Sequence, residues 1–306
     1  MLLPALALRV VLAAALPLVI GTGPVAAESP SVAPAERTAP AAAGCELPAQ
    51  VLDLTNWKVT LPLPMPDNAT GPLEIAQPQL ASYARPPYFR TTPTCDAVVF
   101  QAPVNGVHTS GSRYPRSELR EMTDAGANKA SWSSGAGEHR MTVTEAFTHL
   151  PVGKPELIGA QIHDAKDDVT VFRLEGSNLW ITDDNDPHHK LITDHYVLGT
   201  RFDATYEVSG GTIRAYYNGV LQTTISNRFR DAYFKAGAYT QSNCTTAARC
   251  ASDNYGETTI YQVTVFHHVT TWDLILDWII TWGPIALLVV VVLVIGYRLA
   301  RRLRAR

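Results

Sequence analysis

The chain has 306 residues, 46% of them hydrophobic, with 25 Lys and Arg against 28 Asp and Glu. That length and apolar content supply a sizeable core, arranged as one large β domain or two smaller ones. All 28 acidic residues fall within residues 28–277, where 19 Lys and Arg remain once Arg9 and five tail arginines are set aside; a balance of −9 argues against a nucleic-acid binder.

Residues 1–27 read as a signal peptide, with Arg9, an apolar run through Ile20, and the small residues Val25, Ala26 and Ala27 for cleavage. Residues 28–44 are rich in Pro, Ala and Ser and lack aromatics, so they are expected to be a linker that cannot bury enough surface to fold. An exported chain with four cysteines is expected to form two disulfides, and three pairings are possible. Cys244 with Cys250 would clip a short loop, leaving Cys45 with Cys95 to tie down the start of the domain. Their spacings do not fit a zinc site. Asn68-Ala69-Thr70 matches a glycosylation sequon.

Along the body of the chain apolar residues alternate with period two, and no long helical pattern precedes residue 278. Arg116 to Glu121, lying between Pro115 and Gly126, is expected to be a strand with Arg116, Glu118 and Arg120 on one face. Gln161 and His163 would likewise share a face, with Ile162 on the other. Val169 to Leu174 and Leu179 to Thr182 flank a Glu175–Asn178 turn. Asp183 to His189 reads as a solvated polar loop; calcium or zinc binding there lacks a recognised ligand spacing. Thr212 to Tyr217 and Val220 to Ile225 flank Asn218-Gly219, a strong hairpin signal. Lys235, Gly237, Tyr239 and Gln241 would share one strand face, with the small Ala236, Ala238 and Thr240 behind. Tyr255 to His267 reads as a last strand. Many short strands with turns between them predict an all-β, antiparallel two-sheet sandwich or jelly roll.

Residues 271–277 form a juxtamembrane stretch, and residues 278–297 carry no charge and are long enough for a transmembrane helix. Trp278, Trp282 and Tyr297 suit the two interfaces, and Pro284 is tolerable near one end. A basic tail follows in residues 298–306, with Arg298, Arg301, Arg302, Arg304 and Arg306. Arginine on one flank and Asp273 and Asp277 on the other predict the tail inside and the domain outside.

Three of these stretches, in order, carry a resemblance. Arg116-Ser117-Glu118-Leu119-Arg120, Gln161-Ile162-His163 and Tyr233 to Gln241 resemble the three signature strands of the alginate lyases of polysaccharide lyase family 7, in the alginate lyase 2 superfamily. Leu54 to Pro62 adds to the likeness, which runs from about Cys45 to about His268. The resemblance implies a catalytic domain over residues 45–270, with a concanavalin-like jelly roll and a concave groove across one sheet. It also implies depolymerisation of alginate by β-elimination at the uronate 4-O-glycosidic bond; cutting within chains is expected. Ile162 between Gln161 and His163 goes, in that family, with acceptance of guluronate.

The residues themselves fit such chemistry. Removing the proton beside a sugar carboxylate requires donors fixed in advance around that carboxylate. Arg116 and Gln161 are the candidates, with Arg120 close behind. His163 titrates in the right range for a base, and Tyr239 is a suitable acid that nearby cations would also let act as a base. The resemblance implies the same division of roles and no metal or cofactor. Lys235 and Gln241, with Arg120, are expected to hold neighbouring sugars, and Glu118 to orient the arginines. The implied partner is an anionic polysaccharide, met by a monomer anchored in the cell membrane with its catalytic domain outside. The same face would serve another polyuronate such as glucuronan, and a non-catalytic carbohydrate-binding module would share the fold.

Overall fold

In a computed structural model of the chain, residues 44–66 and 71–304 are described. The expected signal peptide, the linker up to Ala43 and the Asn68 sequon lie outside the described residues. The strands run β1 (Trp57–Pro64), β2 (Pro72–Ile75), β3 (Phe89–Thr91), β4 (Val98–Pro103), β5 (Arg116–Thr123), β6 (Asn128–Lys129), β7 (Glu138–His149) and β8 (Glu156–His163). They continue with β9 (Asp168–Glu175), β10 (Asn178–Asp183), β11 (Asp186–Thr193), β12 (Phe202–Ser209), β13 (Thr212–Tyr217), β14 (Val220–Ser226), β15 (Tyr233–Thr240) and β16 (Tyr255–His268). A single long helix, α1 (Thr271–Arg304), follows.

Two antiparallel sheets result, as the alternation predicts. One has the order β11-β10-β9-β8-β15-β5-β1-β2, with β6 beside β5; the other has β14-β13-β12-β7-β16-β4-β3. Between them lie Leu61, Leu119, Ile162, Phe172 and Phe234 from the first sheet. Phe100, Met141, Phe147, Phe202 and Tyr206 face them from the second. Burying each large apolar side chain contributes roughly 1.5–3 kcal/mol, so this interior is what closes the sandwich. Asn218 and Gly219, both at positive φ, make the tight turn between β13 and β14. Both favoured disulfides are present, Cys45–Cys95 and Cys244–Cys250.

Two expectations are corrected. The stretch from Asp183 to His189 is not all loop: a turn at Asp184 and Asn185 leads into β11, which begins at Asp186. β11 is a largely exposed edge strand, so it carries no apolar alternation, and an edge tolerates Pro187. The helix also starts earlier than the apolar run, at Thr271. Its start is a capping box: the Thr270 hydroxyl accepts from the Asp273 amide at 3.2 Å, and Asp273 accepts from the Thr270 amide at 2.7 Å. Residues 271–298 are long and apolar enough to cross a membrane, spanning roughly 42 Å at 1.5 Å per residue. Asp277, on the helix's second turn, is buried against the sandwich. It accepts from Ser133 Oγ at 2.9 Å and pairs with Arg230 at 2.8 Å and Arg228 at 3.3 Å.

Candidate active site

Strand register brings the three polar stretches onto one face. β15 lies between β5 and β8. Arg116 stands opposite Tyr239, Glu118 opposite Gly237, and Arg120 opposite Lys235. On the other side Lys235 stands opposite Gln161, and Tyr233 opposite His163. Ser117, Leu119 and Glu121 point the other way and are buried. Only glycine fits at position 237: it has a φ of +148°, and a Cβ there would lie 2.5 Å from Ser117 O and 2.7 Å from Glu118 Cα. The missing side chain lets the β15 backbone lie this close to β5 at Glu118.

Glu118 is the hub of the floor, with only 1% of its surface exposed. One oxygen pairs with Lys235 Nζ and, at 3.4 Å, with Arg116 Nη1. The other accepts from Gln161 Nε2. Removing a carboxylate from water costs several kcal/mol, and a single exposed ion pair would not recover that. Two cations and an amide around one carboxylate do, and they leave the floor with a surplus positive charge. Burial, followed by the neighbouring Arg116, pulls the Lys235 ammonium down to about 8. The sequence reading is corrected in one respect. Glu118 orients Arg116 but not Arg120, which donates to the carbonyls of Glu121 and Ala130 and lies 4.0 Å over the Tyr233 ring. Lys235, expected to hold a neighbouring sugar, is buried in the floor, where it also lines the groove.

His163 and Tyr239 stand at the edges of this floor. His163 Nδ1 lies 2.6 Å from the Asp164 carbonyl, which only accepts, so Nδ1 carries the proton and Nε2 is the free base. Tyr233 stacks on the His163 ring and places its hydroxyl 3.1 Å from Nδ1. Burial, then the nearby Lys235, lowers the histidine below its usual range. The guanidinium of Arg116 lies 3.9 Å over the Tyr239 ring, and the Tyr239 hydroxyl is 2.8 Å from Ser112 Oγ. Ser112 and Tyr233 were not singled out from sequence as site residues. Tyr233 has a readable signal, the strand parity it shares with Lys235 and Tyr239; Ser112 has none, because it arrives from a loop. Arg116 Nε, Gln161 Oε1 and Gln241 Nε2 are buried without a hydrogen-bond partner.

A groove of about 460 Å³ opens over part of this floor; Lys58, Arg116, Arg120, Lys129 and Lys235 line it against Glu74, Glu118, Asp164 and Asp231, a surplus of one positive charge. A cavity of about 580 Å³ lies near it, between residues 164–169 and 227–231. Six aspartates line that second space against Lys166, Arg228 and Arg230. Of the two, the groove with the positive surplus suits a polyanion better than the acidic cavity.

The model of the alginate lyase family matches residues 52–267. A crystal structure of the alginate lyase from a Corynebacterium species is similar at 57% identity, covering 74% of this chain and all of that one, with a TM-score of 0.71. Alginate lyase AlgAT5 of polysaccharide lyase family 7 is 45% identical over 73% of this chain and 99% of that one, with a TM-score of 0.68. A variant of family 7 alginate lyase A1-II′, in complex with product (GGG), is 26% identical over 73% of this chain and all of that one, with a TM-score of 0.61. No curated protein matches the chain.

Glu118→Leu leaves Arg116 and Lys235 buried without a counter-charge and is expected to lower stability by about 3–5 kcal/mol. Urea unfolding checks this, and a loss below about 1 kcal/mol would mean that water already screens the cluster.

Proposed function

This chain belongs to the alginate lyases of polysaccharide lyase family 7, and we propose that it depolymerises alginate with Arg116, Gln161, His163 and Tyr239 as its reacting groups. The observation that carries the assignment of these residues is their common face around Glu118.

In this reading a uronate carboxylate sits over Arg116 and Gln161. Their donors are fixed before the substrate arrives, so they stabilise the dianion that develops when the neighbouring proton leaves. His163 Nε2 takes the proton from C5. The C5–H electrons form the C4–C5 double bond, the C4–O4 bond breaks, and the Tyr239 hydroxyl protonates the departing oxygen. Tyr233 and the Asp164 carbonyl hold the histidine in the tautomer that presents Nε2. Ser112 fixes the direction of the Tyr239 hydroxyl. Arg120, Lys235 and Gln241 supply charge and donors along the groove, Lys235 from beneath.

We further propose cleavage within chains. β8, β15 and β5 are central strands, with sheet on either side, so a polymer can extend past the reacting sugar in both directions. Acceptance of guluronate is proposed through Ile162, whose side chain is wholly buried and acts by setting the backbone between Gln161 and His163. Residues 1–27 and α1 support export and anchoring, with the domain outside and the arginine tail inside.

On guluronate-rich alginate the enzyme is expected to release unsaturated oligomers before any monomer, read as a near-ultraviolet absorbance. Tyr239→Phe should lower kcat by about 10²–10⁴-fold; full activity in that variant would remove Tyr239 from the mechanism. The lowered histidine is already a free base below its ordinary range, so the acid limb of kcat/KM is expected below pH 6.5. A limb above that value would point to another base. On cell fractionation the full chain should stay with the membrane through an alkaline carbonate wash, and recovery in the soluble fraction would sink the anchor.

A further inference from the structure

Glu145 lies on the sheet that carries none of the reacting groups, yet it reaches the strand that carries two of them. It sits on β7, opposite Phe202 of β12 and Ile260 of β16, and is wholly buried. Its Oε1 accepts from the Ala160 amide across the core at 3.2 Å. A Cβ on Gly159 would lie 2.6 Å from both carboxyl oxygens, so glycine is what lets the carboxyl come this close.

The contact falls on a break in the alternation of β8. Leu157 and Ile162 both belong to the core, although they are five positions apart, and an unbroken strand puts residues an odd number apart on opposite faces. The register shows the extra residue: Ile158 pairs with Arg173, but Gln161 pairs with Val171, so β8 takes three steps where β9 takes two. This is a β-bulge at Gly159 and Ala160, and Ala160 joins the core. Without it, continuing from Leu157, Gln161 and His163 would point into the core and Ile162 into the groove.

We propose that Glu145 is a positioning residue: by holding the Ala160 amide from across the core, it fixes the bulge that turns Gln161 and His163 into the groove. The proposal rests on the reading of Gln161 and His163 as reacting groups. The chemistry of the site agrees with it. A bulged amide has lost its ladder partner, and one left bare in the interior is costly. Burial pushes the Glu145 carboxyl up to about 8, so near neutrality it is an uncharged acceptor. The titratable groups facing it are the Tyr196 and Tyr206 hydroxyls, which burial keeps protonated.

The test uses the full chain in detergent. Glu145→Gln keeps an acceptor and no charge, and is expected to hold kcat within about threefold. Glu145→Leu removes the acceptor, and is expected to lower kcat by about 10–100-fold with a smaller change in KM, as a misplacement of about 1 Å does. A folded Glu145→Leu with unchanged kcat overturns the proposal. Should Glu145→Leu fail to fold, Gly159→Ala stands in. The added methyl is expected to push the carboxyl off the Ala160 amide and lower kcat, and Glu145→Ala in the same chain to lower it little further, since both changes break one contact; simple addition of the two losses overturns the proposal. Thermal melts supply a pH readout. The unfolded carboxyl ionises near 4.5 and the folded one only near 8, so this group's stabilisation is present below pH 4.5 and is lost as pH rises to about 8. The excess Tm of Glu145→Gln over the native chain should therefore grow between pH 5 and 8. Amide exchange of residues 157–163 should quicken in Glu145→Leu whether or not alginate is the substrate, and unchanged exchange overturns the proposal independently of the lyase reading.

Discussion

Around Glu118 three neighbouring strands, already joined by their ladders, are tied a second time by charge. Arg116 lies on the same strand, Lys235 on the next and Gln161 on the one beyond, and all three meet its two oxygens. Each cation would be expensive to bury alone. Joined through one carboxylate they become a stiff layer, and that stiffness matters for catalysis, because donors that must reorient during the reaction lose most of their advantage. The empty side-chain position at Gly237 is part of the same arrangement. A side chain there would push β15 off β5 and pull the hub apart.

The reverse side of the same strands is tied just as firmly. Glu121, one residue past Arg120 and facing inward, accepts from the Phe234 amide at 2.8 Å, from Trp132 Nε1 at 3.2 Å and from His267 Nε2 at 2.6 Å. His267 in turn meets His139 Nδ1 at 2.7 Å. β5 therefore carries one buried carboxylate on each face, one for the reaction floor and one for the bond between sheets. His267 lies one residue from the end of β16, and α1 begins three residues after that end, so the helix joins the domain through a braced strand rather than a loose tether. The Asp277 contacts to Ser133, Arg228 and Arg230 brace the same junction.

The sequence made some of this legible and hid the rest for identifiable reasons. β5 and β15 follow strict alternation, so the facing of Arg116, Glu118, Arg120, Lys235 and Tyr239 can be read directly from residue parity. Gln161 and His163 read correctly as a pair, but only because both lie beyond the bulge; counting from Leu157 would have turned them inward. The bulge leaves no local mark except Gly159, and its acceptor comes from a strand 15 residues earlier. β11 was hidden because an exposed edge strand does not need apolar residues. The early start of α1 had a signal in Thr270 and Asp273, three apart, which a hydropathy reading passes over. Ser112 is fixed only by the path of its loop, and Glu118 favours Arg116 over Arg120 because Ala130 and Tyr233 engage the second guanidinium.

Charge explains why such a floor is needed at all. Residues 28–277 carry a balance of −9, so the domain as a whole repels a polyuronate. At physiological salt that repulsion fades beyond about 8 Å, which lets a polymer approach. Inside the groove the balance is local and of opposite sign, because Lys58, Arg116, Arg120, Lys129 and Lys235 outnumber Glu74, Glu118, Asp164 and Asp231 by one, and Arg116 and Lys235 meet over the single carboxylate of Glu118. An acidic exterior with a cationic groove confines attraction to the one surface where His163 and Tyr239 stand ready. A uniformly basic surface would hold the polymer anywhere along the molecule and away from those two side chains.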